Sequence, residues 1–223
     1  MNITQQTKDK ILAAAQTMFF DMGYSKTTLR KIAYECDITH SAIFKHFKNK
    51  QEIASSIIGN YYELLYEKVN ACAALEDWGD NLNIFLLFCA LGIHYTTAYN
   101  YPNFSKFYSE VYNEEHEVFE RNLFIDKTCI INNIDDETLL EGWDNLFLEK
   151  KTVSDVNSTL VSLCGEQKIS VKHAMRYMCS LLWTVFSISP VLKLEMIDAF
   201  ADTYKEKYFL PQSRLNAKKF DLF

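Results

Sequence analysis

Residues 23–50, GYSKTTLRKIAYECDITHSAIFKHFKNK, constrain the fold of this chain more than any other stretch. Apolar residues recur at helical spacing on both sides of Asp37, which predicts two short helices joined by a tight turn. Thr27 or Thr28 can cap the first helix and Thr39 the second, because their hydroxyls accept hydrogen bonds from the free amides of a first turn. This layout is typical of a helix-turn-helix, whose second helix can enter the major groove of DNA.

The rest of the sequence predicts an all-α chain. Only 6 Gly and 3 Pro leave little material for the turns of a many-stranded protein, and a hydrophobic content of 48% argues against disorder. A cluster of polar residues at 113–116 could mark a kink or a break in one long helix. The apolar spacing predicts helices over residues 7–22, 28–36, 39–47, 50–74, 82–99, 105–132, 135–164, 170–189 and 191–208.

These helices divide the chain into a head, a body and a tail. Residues 1–52 form an N-terminal three-helix head that contains the helix-turn-helix. Residues 53–210 form a larger helical body, and residues 211–223 form a C-terminal tail. The long helix that begins near Lys50 joins head to body without a flexible linker. We therefore expect movement of this helix to be transmitted directly to the head.

Charge is distributed unevenly along the chain, whose formal net charge is −6. Residues 1–50 carry eight Lys and Arg against four Asp and Glu, whereas the remainder carries 15 against 25. A basic head suits contact with phosphates, and an acidic body would discourage non-specific binding to nucleic acid elsewhere. Chance clustering of surface charge would produce the same asymmetry.

The cysteines and the apolar runs favour a cytoplasmic protein that does not contact membranes. The six cysteines are scattered, without a CxxC pair or a Cys/His cluster of metal-ligand spacing. The sequence offers no evident thiolate-stabilising neighbourhood for a redox-sensing cysteine. The N-terminus is polar rather than signal-like. The apolar run at 84–93 is too short to cross a bilayer, which takes about 20 residues.

The segment from Lys8 to about Ile58 resembles the DNA-binding domain of TetR/AcrR-type transcriptional regulators. The resemblance rests on four runs in order, ILAAAQTMFFDMGY, TTLRKIA, ITHSAIFKHF and KNKQEI, which fall at the spacings of the family without insertion. The body suits the family's variable C-terminal part in length and helical character, but it matches no particular subgroup. The resemblance therefore covers the head and the start of the body.

The resemblance implies DNA contacts at named positions. Phosphate contacts are implied at the starts of the second and fourth helices, by Thr28, Arg30 and Lys50. Base edges would be read at the start of the recognition helix, by Thr39, His40 and Ser41. Lys45 and His46 would lie on the exposed side of this helix, where they could contact DNA. For the two histidines the alternative is an exposed polar residue, and no third ligand lies near them to make a metal site.

Three residues of the head depart from the family's pattern. Asp37 stands where the family usually has the turn glycine, and Asp tolerates a left-handed conformation better than most residues. Ser41 replaces a glycine and adds a hydroxyl that could read a base. Phe44 replaces a tyrosine and cannot donate a hydrogen bond to a phosphate, so it is left to pack or to touch a thymine methyl.

In the body, the resemblance implies a site for an unknown small-molecule effector and a homodimer interface. The candidate effector-binding residues are His94, Tyr95, Tyr99, Tyr108 and Trp143, although each of these side chains could equally fill a helical core. The final two helices, over about 170–208, would form a four-helix bundle with a second copy, and a core role is again the alternative. No metal or cofactor is indicated.

The sequence as a whole predicts a homodimeric, ligand-responsive regulator that binds a palindromic operator in double-stranded DNA, most simply a repressor. An activator, or a regulator controlled by a partner protein, stays open as an alternative. An α-helical enzyme is the alternative from another class. It lacks support, because the sequence contains no nucleophile elbow, no metal-ligand spacing and no glycine loop that could cradle phosphate, so no catalytic residue is expected.

Overall fold

A computed structural model describes residues 3–75, 77–79, 82–115, 143–185 and 194–209 of the chain. Every regular element within these ranges is helical, which confirms the predicted all-α architecture. In chain order the elements are α1 (Ile3–Met22), α2 (Leu29–Glu35), α3 (His40–Ile43), α4 (Lys50–Ala73), α5 (Leu82–Asn100), α6 (Pro102–Glu114), α7 (Trp143–Gly165), α8 (Val171–Val185), α9 (Leu194–Tyr204) and a π-helical turn (Lys205–Phe209).

Side-chain caps define the starts of three helices in the head. Thr28 caps α2 and Thr39 caps α3, each accepting from the amide three residues on, at 3.3 Å and 3.2 Å. Asn49 caps α4 at 2.8 Å, and the Glu52 carboxylate accepts in return from the Lys48 amide at 2.6 Å. These bonds satisfy amides that a first helical turn leaves free, so the local sequence fixes where each helix begins.

The head has a compact apolar core built from the inner faces of its four helices. Helix α1 packs on α2 and α4, and α2 packs on α3. The buried residues at the centre of this core are Ile11, Ala15, Phe19, Ile32, Ile43, Phe47, Ile53 and Ile57. The predicted inner positions of the helix-turn-helix are therefore the ones that face the core, which leaves the opposite face of α3 to solvent.

Helix α5 is the centre of the body. Every residue from 85 to 98 is buried, and the helix contacts α4, α6, α7, α8, α9 and the π-helical turn. Gly92 lets the Phe209 ring approach its backbone, since a Cβ atom built at this position would lie 2.3 Å from the ring carbon Cζ. The π-helical turn is thus anchored on α5 by a contact that no larger residue at position 92 would permit.

Some helix boundaries differ from those predicted. Helix α6 begins at Pro102, earlier than predicted, because proline has a suitable φ and no amide to satisfy at the first helical position. The same helix ends at Glu114, at the polar cluster predicted as a break. The predicted helical residues 116–132, 135–142 and 186–193, and the tail 211–223, lie outside the described residues.

Candidate nucleic-acid interface and effector site

The turn of the helix-turn-helix is made by Asp37 in the left-handed conformation. Its φ is +53°, and its amide donates to the Tyr34 carbonyl at 3.0 Å. The next amide, of Ile38, donates to the Ala33 carbonyl at 3.0 Å, which closes the C-terminus of α2. Aspartate therefore takes the position for which glycine is the usual choice, and the two helices keep the tight connection predicted from the sequence.

The outer face of α3 presents polar groups beside an aromatic ring. Its exposed side chains are Thr39, His40, Ser41, Phe44 and Lys45. The His40 and Phe44 rings meet edge to face with centroids 5.2 Å apart, and the hydroxyls of Thr39 and Ser41 lie 3.1 Å apart. Imidazole and hydroxyl groups can donate to and accept from base edges, whereas a phenyl ring can contact a thymine methyl.

The recognition helix is shorter than the predicted residues 39–47. The helix α3 covers only His40–Ile43, and the chain continues to Phe47 through turns. The amides of Lys45 and His46 there bond to carbonyls three residues back, at 3.2 Å and 2.9 Å. Ser, His, Ile and Phe are weak helix formers, which explains why so short a segment tightens rather than continuing as an α-helix. The predicted single helix is in this respect wrong.

The remaining residues predicted to contact DNA differ in how exposed their side chains are. Thr28 and Arg30 are exposed at the N-terminus of α2. His46 is half-buried behind the exposed side of α3. Lys50 is also half-buried, and its ammonium donates to the Tyr24 carbonyl at 3.0 Å while lying 3.7 Å from the centroid of the Tyr24 ring. Lys50 therefore binds the loop between α1 and α2 as well as occupying its predicted place at the start of α4.

The same loop is bound to the body by acidic residues at the end of α6. The Tyr24 amide donates to Glu110 at 2.6 Å, and the Tyr24 hydroxyl donates to Glu115 at 3.0 Å. The Ser25 hydroxyl donates to Glu114. Burial and the neighbouring Glu115 carboxylate raise the pKa of Tyr24. We call this set the α6–Tyr24 contact; it connects the body directly to the loop that precedes the helix-turn-helix.

A hydrogen-bonded network of polar side chains lies inside the body between α4, α5, α6 and α7. Asn157 is its hub, and its amide group contacts Tyr95 at 2.9 Å, Tyr108 at 3.0 Å and His94 at 3.4 Å. Two tyrosines of α4 complete the network. The Tyr61 hydroxyl lies 2.6 Å from His94 Nδ1, and the Tyr62 hydroxyl lies 2.5 Å from the Tyr108 hydroxyl. All six side chains are buried.

The network assigns the protonation of His94. The Asn157 amide oxygen accepts from Tyr95, so the Asn157 nitrogen is the atom that faces Nε2 of the imidazole. Nε2 therefore accepts, and Nδ1 carries the proton and donates to Tyr61. Burial lowers the pKa of His94 to about 3, which keeps the imidazole neutral. The interior thus offers uncharged donors and acceptors among aromatic rings.

The structure brings together three of the five candidate effector-binding residues, namely His94, Tyr95 and Tyr108. Tyr99 lies farther along α5 and is half-exposed. Trp143 is the first residue of α7, and its side chain lies outside the described residues. Sequence reasoning missed three members of the network. The available signals were two adjacent tyrosines, Tyr61 and Tyr62, in an amphipathic helix, and a lone amide, Asn157, among apolar positions.

Among the residues that the structure describes, no group of three or more His, Cys, Asp or Glu has the arrangement needed to hold a metal ion. Among the described helices, none combines the length and the apolar character that a membrane span requires.

The N-terminal part of the chain is similar to known bacterial proteins. Residues 11–57 match the family described as "Bacterial regulatory proteins, tetR family". The HTH-type transcriptional regulator TtgR of Pseudomonas putida is 36% identical over 59 residues, which are 26% of this chain and 28% of that protein. The HTH-type transcriptional repressor BepR of Brucella suis is 41% identical over 54 residues, 24% of this chain and 26% of that protein.

A longer match is the biofilm operon icaADBC HTH-type negative transcriptional regulator IcaR of Staphylococcus epidermidis, 36% identical over 77 residues, 34% of this chain and 39% of that protein. A solved structure, of the fatty acid degradation regulator FadR from Bacillus halodurans, has a TM-score of 0.45 and 18% identity, covering 79% of this chain and 94% of that one. Similarity at this level supports no conclusion about the body.

The matched region contains the loop held by the α6–Tyr24 contact, the turn at Asp37 and the exposed face of α3. The chain covers 28%, 26% and 39% of the three relatives, so the likeness spans less than half of each of them. The resemblance predicted from the sequence is confirmed over this region. Over residues 11–57 the chain is similar to the tetR family of bacterial regulatory proteins.

Proposed function

We propose that this chain is a cytoplasmic transcriptional regulator that binds an operator in double-stranded DNA and is released by a small-molecule effector. The observation that carries the proposal is the exposed polar row on α3, inside the region that matches the family. The names of two relatives describe a repressor and a negative regulator, and repression is accordingly the mode we propose here. Each head places α3 in a major groove, and the dimer reads a palindrome.

The chemistry of each side chain determines the DNA contact that we propose for it. Arg30, Lys45 and Lys50 contact phosphates, which supplies most of the affinity and makes binding salt-dependent. Thr28 adds a hydroxyl at the start of α2, where its oxygen already accepts from a backbone amide and its hydrogen is available to a phosphate oxygen. His40 and Ser41 read base edges, and Phe44 contacts a thymine methyl.

The homodimer is proposed to form through α8 and α9, which pack together near the end of the chain. Two ion pairs hold them in register, Lys172 with Asp202 at 2.6 Å and Arg176 with Asp198 at 3.3 Å. Tyr177 on α8 remains 62% exposed, which is unusual for so large a side chain and suits burial by a second copy. The two α3 helices must then lie about one helical turn of DNA apart, roughly 34 Å.

The effector is proposed to enter the aromatic interior around the Asn157 network. None of the six network side chains carries a charge at neutral pH, so the site suits an apolar or phenolic molecule that exchanges hydrogen bonds with them. Tyr61 and Tyr62 lie on α4 and Tyr108 lies on α6, the two body-facing helices that also reach the head. A ligand that separates these side chains stabilises a different position of the head. For this the ligand must bind the chain more tightly in the second position than in the first.

The test uses fluorescence anisotropy with labelled DNA from the upstream region of the chain's own gene. Arg30→Ala is expected to weaken binding and to lower the slope of log K against log salt by about 1, because one phosphate contact is lost. Lys151→Ala is the matched control, since Lys151 is an exposed cation in the body. Equal affinity of wild type and the Arg30 variant would remove Arg30 from the proposed interface, and loss of the salt dependence altogether would remove the proposed mode of binding.

A further inference from the structure

Two aromatic rings lie side by side on the outer face of α3. His40 is the first residue of this helix and Phe44 follows one turn later, so both side chains project from the same face. Their ring centroids are 5.2 Å apart and their planes meet at 83°, the edge-to-face arrangement that aromatic pairs favour. His40 is exposed, and Phe44 keeps 50% of its surface open to solvent. We call these two side chains the His40–Phe44 pair.

The backbone beneath the pair is held from the opposite side. Ile43 and Phe47 are buried in the core of the head, with 0% and 1% of their surface exposed. The Phe47 amide donates to the Ile43 carbonyl at 2.9 Å, and Thr39 caps the start of the helix. The two rings also contact each other, so the pair loses less side-chain freedom on binding than two isolated rings would lose.

His40 carries a hydrogen-bond donor that the fold does not use. Neither ring nitrogen of His40 is hydrogen-bonded to another residue in the described part of the chain. The hydroxyls beside it are engaged, because Thr39 accepts from the Ala42 amide at 3.2 Å and lies 3.1 Å from the Ser41 hydroxyl. An imidazole has at least one N–H donor in both its neutral and its charged form. His40 therefore offers a donor to an acceptor outside the chain.

Each ring of the pair suits a different group in the major groove of DNA. Guanine presents two neighbouring acceptors there, N7 and O6, whereas adenine has an amino donor beside N7. The N–H donor of His40 is therefore matched better by guanine than by adenine. Phe44 has no polar atom in its side chain, and the apolar group that a base presents in this groove is the C5-methyl of thymine.

The distance between the two rings limits how far apart these bases can be. Successive base pairs of B-DNA are about 3.4 Å apart along the axis, so two steps span about 6.8 Å. The component of the ring separation along that axis cannot exceed the full 5.2 Å, which is less than two steps. Guanine and thymine do not share a Watson–Crick base pair. The two bases therefore belong to adjacent base pairs.

We propose that the His40–Phe44 pair reads a single step of the operator half-site, in which a guanine and a thymine lie on adjacent base pairs. The imidazole N–H donates to N7 of the guanine, and the Phe44 ring packs on the thymine methyl. This assignment rests on the function proposed above, since it requires α3 in a major groove. It adds to that function the identity of two bases and their spacing.

The test begins with selection of bound duplexes from a randomised library by the full chain. In the duplex bound most tightly, each guanine is replaced in turn by 7-deazaguanine, which lacks the N7 acceptor, and each thymine by uracil, which lacks the methyl group. One guanine and one thymine on adjacent base pairs of each half-site should respond. We expect the Kd to rise about fivefold for 7-deazaguanine, the effect of one hydrogen bond, and about fourfold for uracil, the effect of one buried methyl group.

Variants assign each response to its residue. His40→Ala should lose the response to 7-deazaguanine, and Phe44→Ala should lose the response to uracil. Tyr34→Ala is the matched control and should keep both responses, because Tyr34 is an aromatic residue of α2 that is 86% exposed and lies outside the pair. The three substitutions remove side chains from exposed positions, so the circular dichroism of each variant should match that of the wild type.

The outcomes separate this assignment from the function on which it rests. Responding positions that are more than one step apart, or responses that persist in His40→Ala and Phe44→Ala, would overturn the assignment. A duplex that the wild type binds equally well with and without the analogues would refute the assignment alone. If no duplex is enriched from the library, the proposed function fails and the assignment fails with it.

Discussion

The neutral state of His94 makes a specific prediction about stability and pH. In the folded chain the pKa of His94 lies at about 3 because the ring is buried, whereas an unfolded histidine has a pKa of about 6.5. Between these values the unfolded state binds one more proton than the folded state. The stabilisation is therefore complete above the unfolded pKa and is lost as the pH falls.

The size of the effect follows from linkage. The whole difference in pKa corresponds to about 5 kcal/mol, and about 2 kcal/mol of this is lost between pH 7 and pH 5. His94→Gln removes the titration while keeping a hydrogen-bonding side chain in the network. We expect the variant to be less stable than wild type at pH 7, but to lose about 2 kcal/mol less on going to pH 5.

The assay is urea unfolding followed by far-ultraviolet circular dichroism at pH 7, 6 and 5, with protein concentration held constant because the stability of the proposed dimer would depend on it. His173→Gln, at an exposed position on α8, is the matched control and should follow the wild-type dependence. Carboxylates titrate alike in all three proteins and cancel in the comparison. Parallel curves for wild type and His94→Gln would refute the assignment of a neutral, buried imidazole.

Three further predictions concern packing and coupling. Gly92→Ala should lower the free energy of unfolding by about 1–3 kcal/mol in urea titrations, since its Cβ would overlap the Phe209 ring. Adding Phe209→Leu to this variant should recover part of the lost stability. If the two substitutions changed the free energy of unfolding additively, the contact would be contradicted. Asn157→Ala should cost about 1–3 kcal/mol by leaving buried hydroxyls without their amide partner, and unchanged thermal unfolding would count against the network. Tyr24→Phe and Glu115→Gln should each cost about 1–2 kcal/mol and show a coupling energy in a double-mutant cycle, because they remove the same hydrogen bond.

Local chemistry made much of the head predictable. Helix starts depend on a cap and on the amides just beyond it, so Thr28 or its neighbour, and Thr39, could be identified from sequence. The left-handed turn at Asp37 was predicted from the resemblance, since Asp37 takes the place of a glycine and aspartate tolerates this conformation. The early end of α3 was not, because the apolar positions Ile43 and Phe47 keep helical spacing even where the hydrogen bonds become those of turns.

Contacts between distant segments were harder to predict. His94, Tyr95 and Tyr108 were selected as polar or aromatic residues of apolar helices, but the amide that joins them comes from α7, with no local signal that it would face α5.

The continuity of α4 has a consequence for chimeric regulators. Four residues of α4 that follow the predicted boundary at residue 52 are buried, with at most 3% of their surface exposed: Ile53, Ala54, Ile57 and Ile58. Helix α4 also packs on α1 of the head. A head excised at residue 52 would lose this apolar support and expose the inner side of α1. Transplanting the proposed DNA specificity of this chain onto a foreign sensor therefore calls for a junction after residue 58, so that the graft carries the first turns of α4 with it.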